Sequence, residues 1–149
     1  MRRIDALLQE YGESHQNQTN KRVHWICVPV IFTSVMALIY ELPPVLGVNW
    51  LWIVTLLVMA YYVYLSPRLA VGFIAVFVLA FAAMMLAARI VPLPLWGTAL
   101  IAFVLAWIGQ FWGHKVEGKK PSFFKDLQFL LIGPAWLLSF IYKRMGLAW

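Results

Sequence analysis

The sequence predicts an all-α, multi-pass transmembrane helical bundle: four spans plus a C-terminal membrane-embedded helix, in one membrane domain over residues 1–149. Three observations carry this. The chain is 63% hydrophobic and only 12% charged, whereas soluble domains run near 45–50% apolar and about 25% charged. Its apolar residues fall into long uninterrupted stretches, the mark of segments solvated by lipid. Its basic residues flank those stretches instead of forming a face of their own, which is the pattern that sets membrane topology. The formal charge of +6 therefore does not describe a nucleic-acid surface, and nucleic-acid binding is excluded on that ground.

Taken in order, Arg3 to Ser14 predicts a short helix, because Ile4, Leu7, Leu8 and Tyr11 recur at helical spacing. It is expected to lie on the membrane surface or on the bundle. Met1 to Glu10 lacks the apolar core of about 7–15 residues that a cleavable leader needs. Trp25 to Tyr40 is the first span, with aromatic anchors at both ends. At about 1.5 Å per residue it reaches about 24 Å, short of a ~30 Å hydrocarbon core. Pro29 is expected in its first turn, where a missing N–H matters least. Cys27 has no partner for a disulfide and reads as a small apolar packing residue.

Glu41 to Gly47 is a loop marked by Pro43, Pro44 and Gly47. Trp50 to Leu65 is the second span, Ser66-Pro67-Arg68 a tight turn, and Leu69 to Ala88 the third span. Arg89 to Pro94 turns the chain and Leu95 to Trp112 is the fourth span. Gly113 to Asp126 is polar and carries Lys115, Lys119, Lys120 and Lys125. Phe129 to Tyr142 is apolar but short, with Pro134 near its middle. A proline there kinks a helix, so this piece is either a fifth span or a re-entrant broken helix.

Arg2, Arg3, Lys21 and Arg22 precede the first span, and the lysine-rich segment follows the fourth. An even number of crossings puts both clusters on one side, the cytosolic one. Arg89 lies at the opposite face, as Lys143 and Arg144 would after a fifth span. Between Leu42 and Gln110 there is no acidic residue and no histidine. The spans thus offer no ion path or proton relay, which argues against a pump or channel.

All three histidines stand where apolar segments meet polar ones, and the topology set by lysine and arginine puts His15, His24 and His114 at one face. On a helix, residues three, four and seven apart share a side. Tyr11 and His15 are four apart, as are Asn20 and His24, and Gln110, His114 and Glu117 follow the same spacing. Each imidazole thus has a polar neighbour one turn away, as suits a metal ligand whose second ring nitrogen is held by a partner. Gly113 allows close approach of a neighbouring helix or ligand. Three imidazoles, with or without Glu117, suit Fe(II) or Zn(II). A zinc hydrolase would use Glu117 as general base. A non-enzymatic bundle that binds lipid or scaffolds a partner, with interfacial histidines, is the other class the residues allow. No motif specifies an oligomeric state.

The pattern Tyr11-x3-His15-x-Asn17-x2-Asn20-x3-His24-x4-Pro29, followed by Gln110-x2-Gly113-His114-x2-Glu117-x3-Pro121, resembles the Mpo-type family of 2-hydroxy fatty acid dioxygenases. The resemblance covers nearly the whole chain in motif order, span number and length. One departure is Cys27, where glycine is expected in many members. The resemblance implies Fe(II)-dependent α-oxidation, in which a 2-hydroxy fatty acid reacts with molecular oxygen and becomes the acid one carbon shorter. It implies His15, His24 and His114 as iron ligands, and Gln110, Tyr11 and Asn20 as supporting residues. Glu117 is either a fourth ligand or an acceptor for an imidazole N–H. A 2-hydroxy carboxylate would chelate the iron through its hydroxyl and one carboxylate oxygen. Lys21, Arg22 or Lys115 would draw the carboxylate to the surface, and membrane lipid would surround the acyl tail. A bacterial inner membrane and an endoplasmic reticulum both fit, with the histidine face cytosolic.

Overall fold

The structure, a computed structural model, describes residues 2–119, 124, 127 and 129–149. Among these residues every regular element is a helix: α1 (Arg3–Glu13), α2 (Gln18–Tyr40), α3 (Trp50–Leu65), α4 (Pro67–Ile90), α5 (Leu95–Glu117) and α6 (Ile132–Arg144). Expectations that rest on Lys120, Pro121, Lys125 and Asp126 fall outside the described residues.

The first span begins earlier than hydropathy predicts. Asn17 caps α2, its side-chain oxygen accepting from the backbone N–H of Thr19 at 2.8 Å and of Asn20 at 3.4 Å. The cap satisfies donors that a helix start otherwise leaves open, so the polar run Gln18–Arg22 winds into helix ahead of the apolar one. Twenty-three residues result, about 35 Å long, which removes the shortfall expected of Trp25–Tyr40. Pro29 accordingly stands twelve residues into the helix, not in its first turn. At the other end of the bundle side, α5 runs five residues past Trp112 and stops at Gly118, whose φ of 76° closes the helix in the left-handed region.

Three helices, α2, α4 and α5, are long and apolar enough to cross a membrane. The sixteen-residue α3 matches its expected limits but reaches only about 24 Å. Contacts show the chain running back and forth. Asn49, before α3, donates to the Tyr40 carbonyl at the far end of α2, at 2.8 Å. Tyr64, at the other end of α3, meets Arg3 of α1 at 3.4 Å. Exposed apolar side chains such as Leu56, Leu57, Leu79 and Leu105 give these helices a face suited to lipid.

α6 departs from the expected kinked helix. Pro134 is its third residue, not its middle, so no interior hydrogen bond is lost. Ile132 to Ser139 are buried without interruption. Gly133 packs on Val28, one turn beyond His24, while Tyr142 donates to the Arg68 carbonyl at the start of α4 at 2.6 Å. Both ends of α6 therefore meet the same end of the bundle, and Lys143 and Arg144 lie with the other cations there. α1 lies against α6 through Ile4, Leu8 and Tyr11. Arg2 reaches the Trp149 carbonyl, and Trp149 donates to Asp5 at 3.1 Å, tying the two termini together.

The most extensive packing is between α2 and α5. Gly109 and Gly113, four apart, face it. A Cβ on Gly109 would stand 2.7 Å from Cys27 Sγ, and one on Gly113 2.5 Å from Asn20 Oδ1. The two small residues let the helix backbones approach as small-xxx-small pairs do in membranes. Cys27 fills the seam against Gly109, in keeping with its reading as a packing residue.

Candidate metal centre

Three elements deliver the three histidines. His15 stands in the turn after α1, His24 in the second turn of α2, and His114 one turn before the end of α5. All are buried, at 2%, 0% and 4% exposure. One nitrogen from each ring can be chosen so that all three lie within 4.8 Å of one another. The rings meet edge-on, with centroids 4.1 Å apart for His15 and His24, 5.1 Å for His24 and His114, and 5.3 Å for His15 and His114.

The second nitrogens of His15 and His24 are held, although not by the atoms the spacing suggests. His15 Nδ1 lies 2.6 Å from the Tyr11 carbonyl and His24 Nδ1 2.9 Å from the Asn20 carbonyl. A carbonyl only accepts, so each Nδ1 carries a proton, and in the neutral ring this leaves the lone pair on Nε2. The partner one turn back is therefore backbone, and the identity of residues 11 and 20 matters for other reasons. Tyr11 stacks its ring on His15, 4.3 Å between centroids and 11° between planes. Asn20 is fully buried; its amide donates to the Ser14 carbonyl at 3.2 Å and to Glu117 at 3.0 Å.

Glu117 fastens the site. Its Oε1 accepts from the backbone N–H of Gln16 at 2.9 Å. Its Oε2 accepts from that of Asn17 at 2.9 Å and from the Asn20 amide. A carboxylate at the start of α2 is also favoured by the helix dipole. Glu117 thus holds the turn that carries His15 against the helices that carry the other two. Gln110, one turn before His114, is 5% exposed, and its Oε1 has no hydrogen-bond partner among the described residues. The cations Lys21, Arg22 and Lys115 belong to this end of the bundle, and Lys119 donates to the Glu13 carbonyl at 2.8 Å.

Trp136 of α6 is a neighbour that sequence reading missed. Its ring lies 5.2 Å from His15 and 5.3 Å from Tyr11. It sits in an apolar run where Ser139, three residues on, is the polar neighbour, and no histidine or acid at helical spacing singles it out.

The donor set fits a metal. Three imidazoles converge, His15 and His24 are aimed by carbonyls, and buried His24 Nε2 has no hydrogen-bond partner among the described residues. Such a nitrogen is disfavoured unless something binds it. Fold and site together define a class: a small helical bundle with membrane-length helices and a buried three-histidine centre at one end. The family model described as "2-hydroxy-palmitic acid dioxygenase Mpo1-like" matches residues 1–66 and 68–145, and the chain belongs to that family. No curated protein and no solved structure matches it.

Proposed function

We propose that this protein is an Fe(II)-dependent dioxygenase that shortens 2-hydroxy fatty acids by one carbon through α-oxidation. The observation that carries the reading is the convergence of His15, His24 and His114 in a buried site of a chain from this family. On this reading the three histidines hold the iron. Fe(II) supplies coordination positions for molecular oxygen and for the hydroxyl and carboxylate oxygens of the substrate. The protein is integral to a membrane as one domain, with α2 to α5 crossing it. α6 is embedded without crossing, and the histidine face is cytosolic. A bacterial inner membrane and an endoplasmic reticulum both suit it.

The chain's own groups then have separate tasks. The Tyr11 and Asn20 carbonyls fix the tautomer and tilt of two imidazoles. Tyr11 and Trp136 wall the His15 ring and exclude water. Glu117 is a positioning residue. With both oxygens engaged by N–H donors, it is poorly placed to serve as the general base of a zinc hydrolase. Lys21, Arg22 and Lys115 give the site end a positive potential that attracts a carboxylate.

The direct test loads purified protein with ferrous iron, counts metal per chain, and supplies 2-hydroxypalmitate under oxygen. About one iron per chain and formation of the fifteen-carbon acid are expected. Iron bound without turnover of any 2-hydroxy acid rejects the dioxygenase. Failure to retain metal returns the protein to a non-enzymatic lipid-binding or scaffold role.

Glu117→Gln is expected to weaken iron affinity by about 10–100-fold, the usual consequence of losing a group that aims a ligand. Titration against a chelator measures it. An unchanged affinity in a folded variant removes Glu117 from the positioning role.

A further inference from the structure

We propose that the acyl tail of the substrate lies inside the protein, in the cavity between α2, α3 and α4, with Ile31 and Leu130 forming its neck. The inference rests on the dioxygenase reading and adds the tail's location and its limiting residues.

The path starts at Gln110. Beside it is a cavity of about 20 Å³, walled also by Tyr11, Ile31 and Leu130. A void of that size holds one water-sized group. Gln110 Oε1 is buried in its wall without a donor among the described residues, so a hydroxyl seated there satisfies an acceptor that burial otherwise penalises. Leu130 also lines a second cavity, of about 380 Å³. That volume lies in the range of small-molecule sites, about 300–1,000 Å³. Its walls include Val35, Met36, Val54, Val58 and Phe73. The hydroxyl of Thr55, the one polar side chain of its walls among the described residues, is engaged by the Leu51 carbonyl at 2.6 Å. Such a space offers water no partners and suits a hydrocarbon.

The two cavities follow one stripe of α2. His24, Val28, Ile31, Val35 and Ile39 are spaced four, three, four and four apart and share a face. Fifteen residues of rise make about 22 Å, comparable with an extended palmitoyl chain. Two other apolar cavities, of about 310 and 300 Å³, lie along α4. The larger one is walled by Leu79, 70% exposed, and by Trp25 and Ile141, each 42% exposed; it opens where bilayer lipid itself would lie. In the cavity under α3, Leu127 is the only exposed residue of the walls among the described residues.

The test uses 2-hydroxypalmitate bearing a diazirine at mid-chain, photolysed on the full chain in detergent, with the labelled residues mapped by mass. Label on Val54, Thr55, Val58 or Leu131, competed away by 2-hydroxypalmitate, is expected. Label on Leu79, Ala83 or Ile141, or spread over outward residues such as Leu56 and Leu105, overturns the inference. Val58→Trp provides a second arm. It should lower turnover of 2-hydroxypalmitate relative to 2-hydroxyoctanoate by about tenfold or more, with iron content unchanged, while Ala83→Trp leaves the ratio alone. An unchanged ratio in Val58→Trp overturns the inference. If the iron-loaded wild type turns over neither acid, the dioxygenase reading fails, and the cross-linking arm still decides where the tail binds.

Discussion

Replacing His24 with alanine is expected to abolish iron retention and turnover together, each to below about one-hundredth of wild type. His24 is one of three mutually contacting rings. Its ring contacts both other imidazoles, it is fully buried, and its Nε2 has no hydrogen-bond partner among the described residues. Removing it leaves two donors, too few for a three-imidazole site, where loss of a merely supporting group leaves all three. The variant also loses a buried ring, so a melting curve must accompany the metal count to show that the protein is folded. His15→Ala and His114→Ala should behave alike. A folded His24→Ala protein with full iron and full activity removes His24 from the ligand set.

The iron-loaded protein should prefer 2-hydroxypalmitate to palmitate by about 10⁴-fold, because a site built around a substrate hydroxyl rejects the analogue lacking it. Gln110 supplies a structural reason. Its Oε1 is buried without a donor among the described residues, and palmitate supplies none. The tail discriminates far less. Each methylene contributes only about 0.8 kcal/mol on burial, and lipid already solvates it outside the protein. Selectivity should therefore be steep at the head and shallow along the chain until the cavity wall is met. Oxygen uptake and product mass on 2-hydroxypalmitate, palmitate and 3-hydroxypalmitate measure this. Equal turnover of palmitate refutes recognition of the hydroxyl.

The helices were legible where composition decides them, and α3 keeps its expected limits. They were misjudged where local chemistry decides. Hydropathy starts the first span at Trp25, yet the Asn17 cap starts the helix at Gln18. That cap could have been read from an asparagine ahead of a polar helical turn. Pro29 and Pro134 carried opposite errors, since a proline's register follows from where its helix begins, which neither residue encodes. The three histidines stood out because so few polar residues surround them. Their spacing to Tyr11 and Asn20 pointed to the right turn but the wrong atom, since every residue offers the carbonyl that the imidazole uses. The engagement of Glu117 with Gln16, Asn17 and Asn20 spans about a hundred residues. No periodicity within one helix can show it.

The third candidate ligand lies far along the chain from the other two, with α3 and α4 wholly contained between His24 and His114. A growing chain therefore possesses no complete centre until α5 has been made and has returned to the starting face. An ion bound there acts as a late clasp: it ties the turn after α1 to both helices of the central seam, and closes the loop that the α3–α4 hairpin forms. Whatever binds only the finished arrangement also stabilises it, in proportion to the logarithm of its concentration above the dissociation constant. Iron supply would then govern how long each molecule endures in the membrane as well as how many are active.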